Sequence, residues 1–95
     1  MLFAIHCLDG AGASEKRKPV YDQHRAHLDT AAQYGAKLVM GGPLVADDNE
    51  TSVGSLFLVE APSRKEAEAF NRADPFHKNG VWAKVEVHAF LRRRG

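Results

Sequence analysis

Residues 37–61, KLVMGGPLVADDNETSVGSLFLVEA, hold two apolar runs around one polar stretch, and their reading decides the fold. KLVMGGP reads as a short strand ending in a Gly41-Gly42-Pro43 turn, VADDNETSVG as a polar connection, and SLFLVEA as a strand apolar on both faces. The pair predicts a hairpin with a long tip. Gly41-Gly42 then serves as a turn or bulge whose backbone N–H groups could also hold an anion.

On the N-terminal side, LFAIHCL (2–8) places Phe3, Ile5 and Cys7 on one face and Leu2, Ala4 and Leu8 on the other, which suits a central strand covered on both sides. DGAGAS breaks this pattern. A helix follows from about Glu15 to Tyr34, with Pro19 in its first turn or marking its true start, and Gly35 at the position of a left-handed cap. On the C-terminal side, Ser63 and Glu66 of SRKE form a capping box that opens a second helix running to about Ala73. VWAKVEVHAFL (81–91) alternates as a last strand. The order βαββαβ is the split βαβ pattern of an α+β, ferredoxin-like antiparallel sheet with two helices on one face. Ninety-five residues give room for one domain, residues 1–95. Two helices leave the other sheet face bare although its central strands are apolar on both sides, so a symmetric homodimer, sheet against sheet, is expected.

Composition limits the partners. Thirteen Lys and Arg against twelve Asp and Glu give a net charge of +1, so no global field draws the chain to nucleic acid or an anionic membrane. The terminal LRRRG lacks interleaved aromatics and reads as a solvated tail. No apolar run approaches the roughly 20 residues that span a bilayer, and MLFAIHCLDG is too short for a signal peptide and lacks a basic leader. A single cysteine, Cys7, excludes an internal disulfide and points to a reducing compartment, the cytoplasm.

The candidate site comes from topology. His24 falls one turn from both Val20 and Leu28 on the apolar stripe of the first helix, and Asp74 continues the Ala67, Phe70 stripe of the second. In a split βαβ sheet the first helix starts, the second ends and the hairpin turns at the same end. His24, Asp74, Gly42 and Pro43 should therefore cluster, with Arg17 at the start of the first helix close to them. A carboxylate beside an imidazole fixes its tautomer and makes it a stronger proton acceptor. Each residue alone has a plainer reading: a core histidine bonded to a backbone carbonyl, and an Asp-Pro turn placed where a helix dipole disfavours an acid. Only their pairing argues for chemistry.

The remaining candidates carry less. His24 and His27, three apart, lack a third ligand at a specific spacing, so no metal is expected. His6, possible on the helix-covered side, and His88 lie in strands, while His77 follows Asp74 and could line the pocket mouth. Cys7 in a central strand lacks both the access and the lowered pKa of a nucleophile.

Taken in order, MLFAIHCLDG, EKRKPVYDQHRAHL, GGPL, FNRADPFHKNGVW and VEVHAFL resemble the YCII-related (YciI-like) family over essentially the whole chain. The resemblance implies a ferredoxin-like fold that dimerises as a dimeric α+β barrel. It also implies an active site in which the family's first-helix histidine matches His24, the aspartate of its Asp-Pro motif matches Asp74, and the following aromatic matches Phe76. One branch of the family is similar to a dehydrochlorinase acting on a chlorinated hydroxyhydroquinone; distant relatives of the fold act on lactones and aromatic polyketides.

Two functions follow. In the first, a cofactor-independent enzyme uses His24 to take or relay a proton in an elimination or isomerisation of a small cyclic or aromatic substrate, with Asp74 orienting it. The backbone near Gly42, or Arg17, holds an anionic oxygen. In the second, a non-catalytic protein binds a small molecule or partner through the same pair.

Overall fold

A computed structural model describes all 95 residues. Four strands, β1 (Leu2–Asp9), β2 (Lys37–Val45), β3 (Ser52–Glu60) and β4 (Trp82–Phe90), form one antiparallel sheet in the order β2-β3-β1-β4. That is the ferredoxin-like arrangement. No helix is long and apolar enough to cross a membrane.

Strand periodicity sets the two faces. Phe3, Ile5 and Cys7 of β1 and Ser55, Phe57 and Val59 of β3 are buried under the helices. The opposite phase, Leu2, Ala4, His6 and Leu8 paired with Glu60, Leu58, Leu56 and Gly54, lies on the open face. His6 therefore points away from the helix-covered side it was given as an option.

The hairpin is longer than its sequence suggests. Gly41, Gly42 and Pro43 do not turn; they stay in β2 opposite Phe57, Leu56 and Ser55, and the strand runs on to Val45. The ladder tolerates Pro43 because β2 is an edge strand. The turn proper is tied by Asp48, whose carboxylate accepts from the Glu50 and Thr51 amides and the Thr51 hydroxyl. The Thr51 hydroxyl, then its amide, hold that carboxyl below its usual range.

The first helix is broken where one continuous helix was expected. It divides into α1 (Ala13–Arg17), a tight turn at Lys18–Val20 containing Pro19, and α2 (Tyr21–Leu28). Proline has no N–H to donate and its ring crowds the carbonyl four residues back, so a uniform α-helix cannot pass through it. Thr30 donates its hydroxyl to the His27 carbonyl at 2.6 Å as α2 ends. A second tight turn, Ala31–Tyr34, closes at Gly35 with φ 73°, the left-handed cap read from sequence.

The helix α3 (Arg64–Arg72) begins at the expected box, Glu66 reaching back to accept from the Ser63 amide at 3.1 Å. Its end is not the end of helical structure. Asp74 caps a further short helix, α4 (Pro75–Lys78), accepting from the Phe76 amide at 2.8 Å with Pro75 at the first position. The carboxylate thus sits at a helix N-terminus, where the dipole favours it, rather than opposing one.

Candidate active site

His24 is buried at 7 % exposure and Asp74 at 2 %, and the His24 Nδ1 lies 2.8 Å from both carboxylate oxygens. With Asp74 ionised and accepting, Nδ1 carries the proton and Nε2 presents a lone pair. Phe76 fixes the ring plane: the two rings stack at 3.8 Å between centroids and 4° between planes. One loop therefore supplies the carboxylate, the stacking ring and the cap, which is why α4 must start where it does.

The Nε2 atom has no protein partner, yet Ser52 Oγ is the one buried side-chain polar atom left unpaired. Nε2 must therefore reach open space. That space is a cavity of about 230 Å³ whose walls include His24, Leu28, Gly42, Pro43, Phe57 and Phe76. Its size suits a single small ring, and its walls are mostly apolar, as small-molecule sites tend to be.

Arg17 lines this cavity but is engaged already. Its Nε and Nη2 grip the Asp9 carboxylate at 3.1 and 2.8 Å, and Nη2 also donates to the Gly54 carbonyl at 3.0 Å and to Ser55 Oγ at 3.3 Å. The guanidinium lies 4.8 Å from the Phe76 ring centroid. A fork held by a buried acid is a rigid wall rather than a free hand for an anion.

His77 falls outside this cavity. It is exposed and borders a separate cleft with Asn71, Val85 and Val87, because α4 turns the side chain after Phe76 away from His24. His27 takes the structural part: Nε2 bonds the Phe70 carbonyl oxygen at 2.7 Å and its ring stacks on Phe70 at 4.8 Å. No group of three or more His, Cys, Asp or Glu side chains converges on a point.

Ser55, Tyr21 and Arg25 on the cavity wall, and Asp9 and Trp82 behind it, escaped the sequence reading. Ser55 is 2 % exposed, lines the cavity, and accepts from Trp82 Nε1 at 3.3 Å as well as from Arg17. Asp9 anchors Arg17. The legible signal was Ser55 itself, a hydroxyl in the buried phase of an otherwise apolar strand.

Cys7 lies fully buried beneath these groups, and burial, only partly offset by a hydrogen bond from Asn71, pushes its thiol up to about 12. The folded value lies above the ordinary 9.0, so the thiol's contribution to stability holds below about 9 and is lost as the pH climbs towards 12. Ellman's reagent at pH 8 should leave the native protein unlabelled and titrate one thiol after guanidinium unfolding. Rapid native labelling would contradict this burial.

A four-stranded antiparallel sheet, helices on one face, and a carboxylate-held imidazole opening into a small apolar cavity define a class of compact α+β proteins with a one-ended ring-sized site. Within that class the chain belongs to the YCII-related domain family, whose model matches residues 1–91. The proteins YciI of Escherichia coli O6:H1 and of Shigella flexneri are each 35 % identical over 95 residues, 95 % of this chain and 96 % of theirs. Among solved structures, 5-chloro-2-hydroxyhydroquinone dehydrochlorinase (TftG) from Burkholderia phenoliruptrix, in complex with 2,5-dihydroxybenzoquinone, superposes with a TM-score of 0.83. It is 31 % identical, covering 98 % of this chain and 96 % of that one.

Proposed function

We propose that the chain is a cofactor-independent acid–base enzyme acting on a small hydroxylated ring, with His24 as the base and Asp74 as the group that orients it. The observation that carries this is the pairing itself: Nδ1 bonded to a buried carboxylate, Nε2 free in an apolar cavity. Phe76 and Phe57 form walls against which a flat ring packs, and Gly42 and Pro43 of β2 close one side. The similarity to a dehydrochlorinase bound to a quinone supports the same ring chemistry here.

Loss of HCl from a chlorinated trihydroxybenzene balances without an external oxidant. One hydroxyl proton moves to the ring carbon that bears chlorine, giving a keto tautomer; loss of a second hydroxyl proton then drives the ring's electron pair onto departing chloride, leaving a hydroxyquinone and HCl. In this reading Nε2 takes the second of these protons. The test is to incubate the wild-type protein with 5-chloro-2-hydroxyhydroquinone and related halogenated dihydroxybenzenes, following chloride release and quinone absorbance. Enzyme-dependent release is expected. Calorimetric binding of 2,5-dihydroxybenzoquinone with no turnover of any substrate would reduce the protein to a non-catalytic binder.

The open sheet face supports a homodimer. Met40, Leu56 and Phe90 are 63, 42 and 44 % exposed there, beside the mixed charges of Lys84, Glu86 and His88, which a two-fold axis can set against their opposites. Sedimentation at micromolar concentration should give a dimer for wild type and a monomer for Leu56→Arg. A monomeric wild type would leave the face for another partner.

A further inference from the structure

We infer that Ser55 is a substrate-binding residue whose hydroxyl donates a hydrogen bond to a ligand oxygen, and that the site therefore selects rings bearing a phenolate or keto oxygen there. The inference rests on the acid–base reading above for the identity of the site, and it goes further by naming the group that fixes the ligand's polarity.

A hydroxyl has one proton to give and two lone pairs to receive with. Ser55 Oγ accepts from Trp82 Nε1 at 3.3 Å and faces Arg17 Nη2 at the same distance, a contact that shares protons already given to Asp9 and the Gly54 carbonyl at 2.8 and 3.0 Å. Neither group can act as an acceptor, so the Ser55 proton is turned away from both. It meets no protein acceptor either, since Ser55 Oγ appears in the hydrogen-bond network only in the accepting role. Ser55 is 2 % exposed, and a donor this deeply placed is costly to leave unanswered. The open direction left to it is the cavity it shares with His24.

The direction is locked rather than chosen. Asp9 holds Arg17 through two hydrogen bonds, and Trp82 is packed edge-on against Phe57 and Phe76 at 5.9 and 5.8 Å. Neither donor can swing away. The Arg17 charge also polarises the hydroxyl it touches, making Ser55 a better donor towards an oxygen that gains negative charge. Arg17 thus reaches the substrate through Ser55, as a positioning residue, which explains how a guanidinium committed to Asp9 still serves an anionic oxygen.

The experiment uses 4-nitrocatechol, whose phenolate absorbs in the visible and whose ionisation in water lies near neutrality. Titration of the bound ligand should show it held as the phenolate to lower pH than in free solution. Because His24 contributes to that shift, the informative quantity is the difference between variants. In Ser55→Ala the bound ligand's ionisation should move back by about one pH unit, with affinity for the anion roughly tenfold weaker, while Ser55→Thr, which keeps the hydroxyl, should restore most of both. Thermal melting confirms that each variant is folded. Equal shifts in wild type and Ser55→Ala, or no binding of 4-nitrocatechol to the wild type, would overturn the inference. A Ser55-dependent shift in a protein that never releases chloride would uphold it while the enzyme reading fell.

Discussion

Asp74→Asn is expected to lower kcat for ring dehydrochlorination by roughly 10³–10⁴-fold while the protein stays folded. In the wild type, Asp74 Oδ1 serves two donors at once, the Phe76 amide and His24 Nδ1, each at 2.8 Å, and Oδ2 stands at the same distance from Nδ1. An asparagine can keep its oxygen on the Phe76 amide, and asparagine is a good cap, so α4 survives. Its amide nitrogen then occupies the place of Oδ2 and donates to Nδ1. The imidazole must answer by moving its proton to Nε2, and the atom facing the cavity becomes a donor instead of a base. Long-range ¹⁵N spectra of the imidazole should show that tautomer exchange directly, in the absence of any substrate. His24→Ala should lose a similar factor, and the double variant little more, because the two residues act as one unit. A rate for Asp74→Asn within tenfold of wild type would remove His24 from the proposed role.

The same geometry corrects an argument that the sequence invites. A carboxylate at the end of a helix looks like stability given up for function, so its removal should stabilise. Asp74 instead caps α4 and bonds a buried imidazole, so Asp74→Ala should cost at least the roughly 0.5–2 kcal/mol of a lost cap. Function at Asp74 has to be argued from its pairing with His24, not from an apparent penalty.

What could be read from the sequence was whatever a local pattern dictates. Apolar runs and one alternating stretch located four strands, the second ended too early; Gly35 and the Ser63–Glu66 box marked a helix end and a helix start; topology alone brought His24 and Asp74 to one end of the sheet. The misreadings lie where tertiary contacts choose between local options. Pro19 suits the first turn of a helix that starts near Glu15, but α1 opens at Ala13, which puts the proline beyond the first turn, where its missing N–H breaks the helix. Gly41-Gly42-Pro43 has turn composition, but an edge strand with partners on one side alone can carry it through. The sequence separates His24, on the apolar stripe, from His27, but not their partners: the carboxylate of Asp74 claims the first and the carbonyl of Phe70 the second. Ser55, Asp9 and Trp82 come from three separate strands and converge only once the β1–β3 and β1–β4 registers are set, which no single-strand pattern records.

Register also governs the largest expected loss of stability. Gly54→Ala should lower the melting temperature by roughly 10–20 °C, from an overpacking cost of about 2–3 kcal/mol in a domain of this size. A Cβ on Gly54 would stand 2.2 Å from the Cys7 carbonyl oxygen and 3.3 Å from its carbon. The obstacle is backbone of the central strand β1, fixed on its other side by pairing with β4, so no flexible side chain can yield. Relief requires β3 to separate from β1, beside the point where the β1–β4 register shifts at Leu8/Asp9. Gly42→Ala is the control: nothing lies within 4 Å of its Cβ, and its melting temperature should change little although Gly42 lines the cavity. The strain in Gly54→Ala falls on the site too, since the Gly54 carbonyl accepts from Arg17 and the next residue is Ser55. Ligand affinity should therefore fall in Gly54→Ala even at temperatures where the variant is fully folded, and a variant that melts like wild type would mean that the strands lie further apart here than 2.2 Å implies.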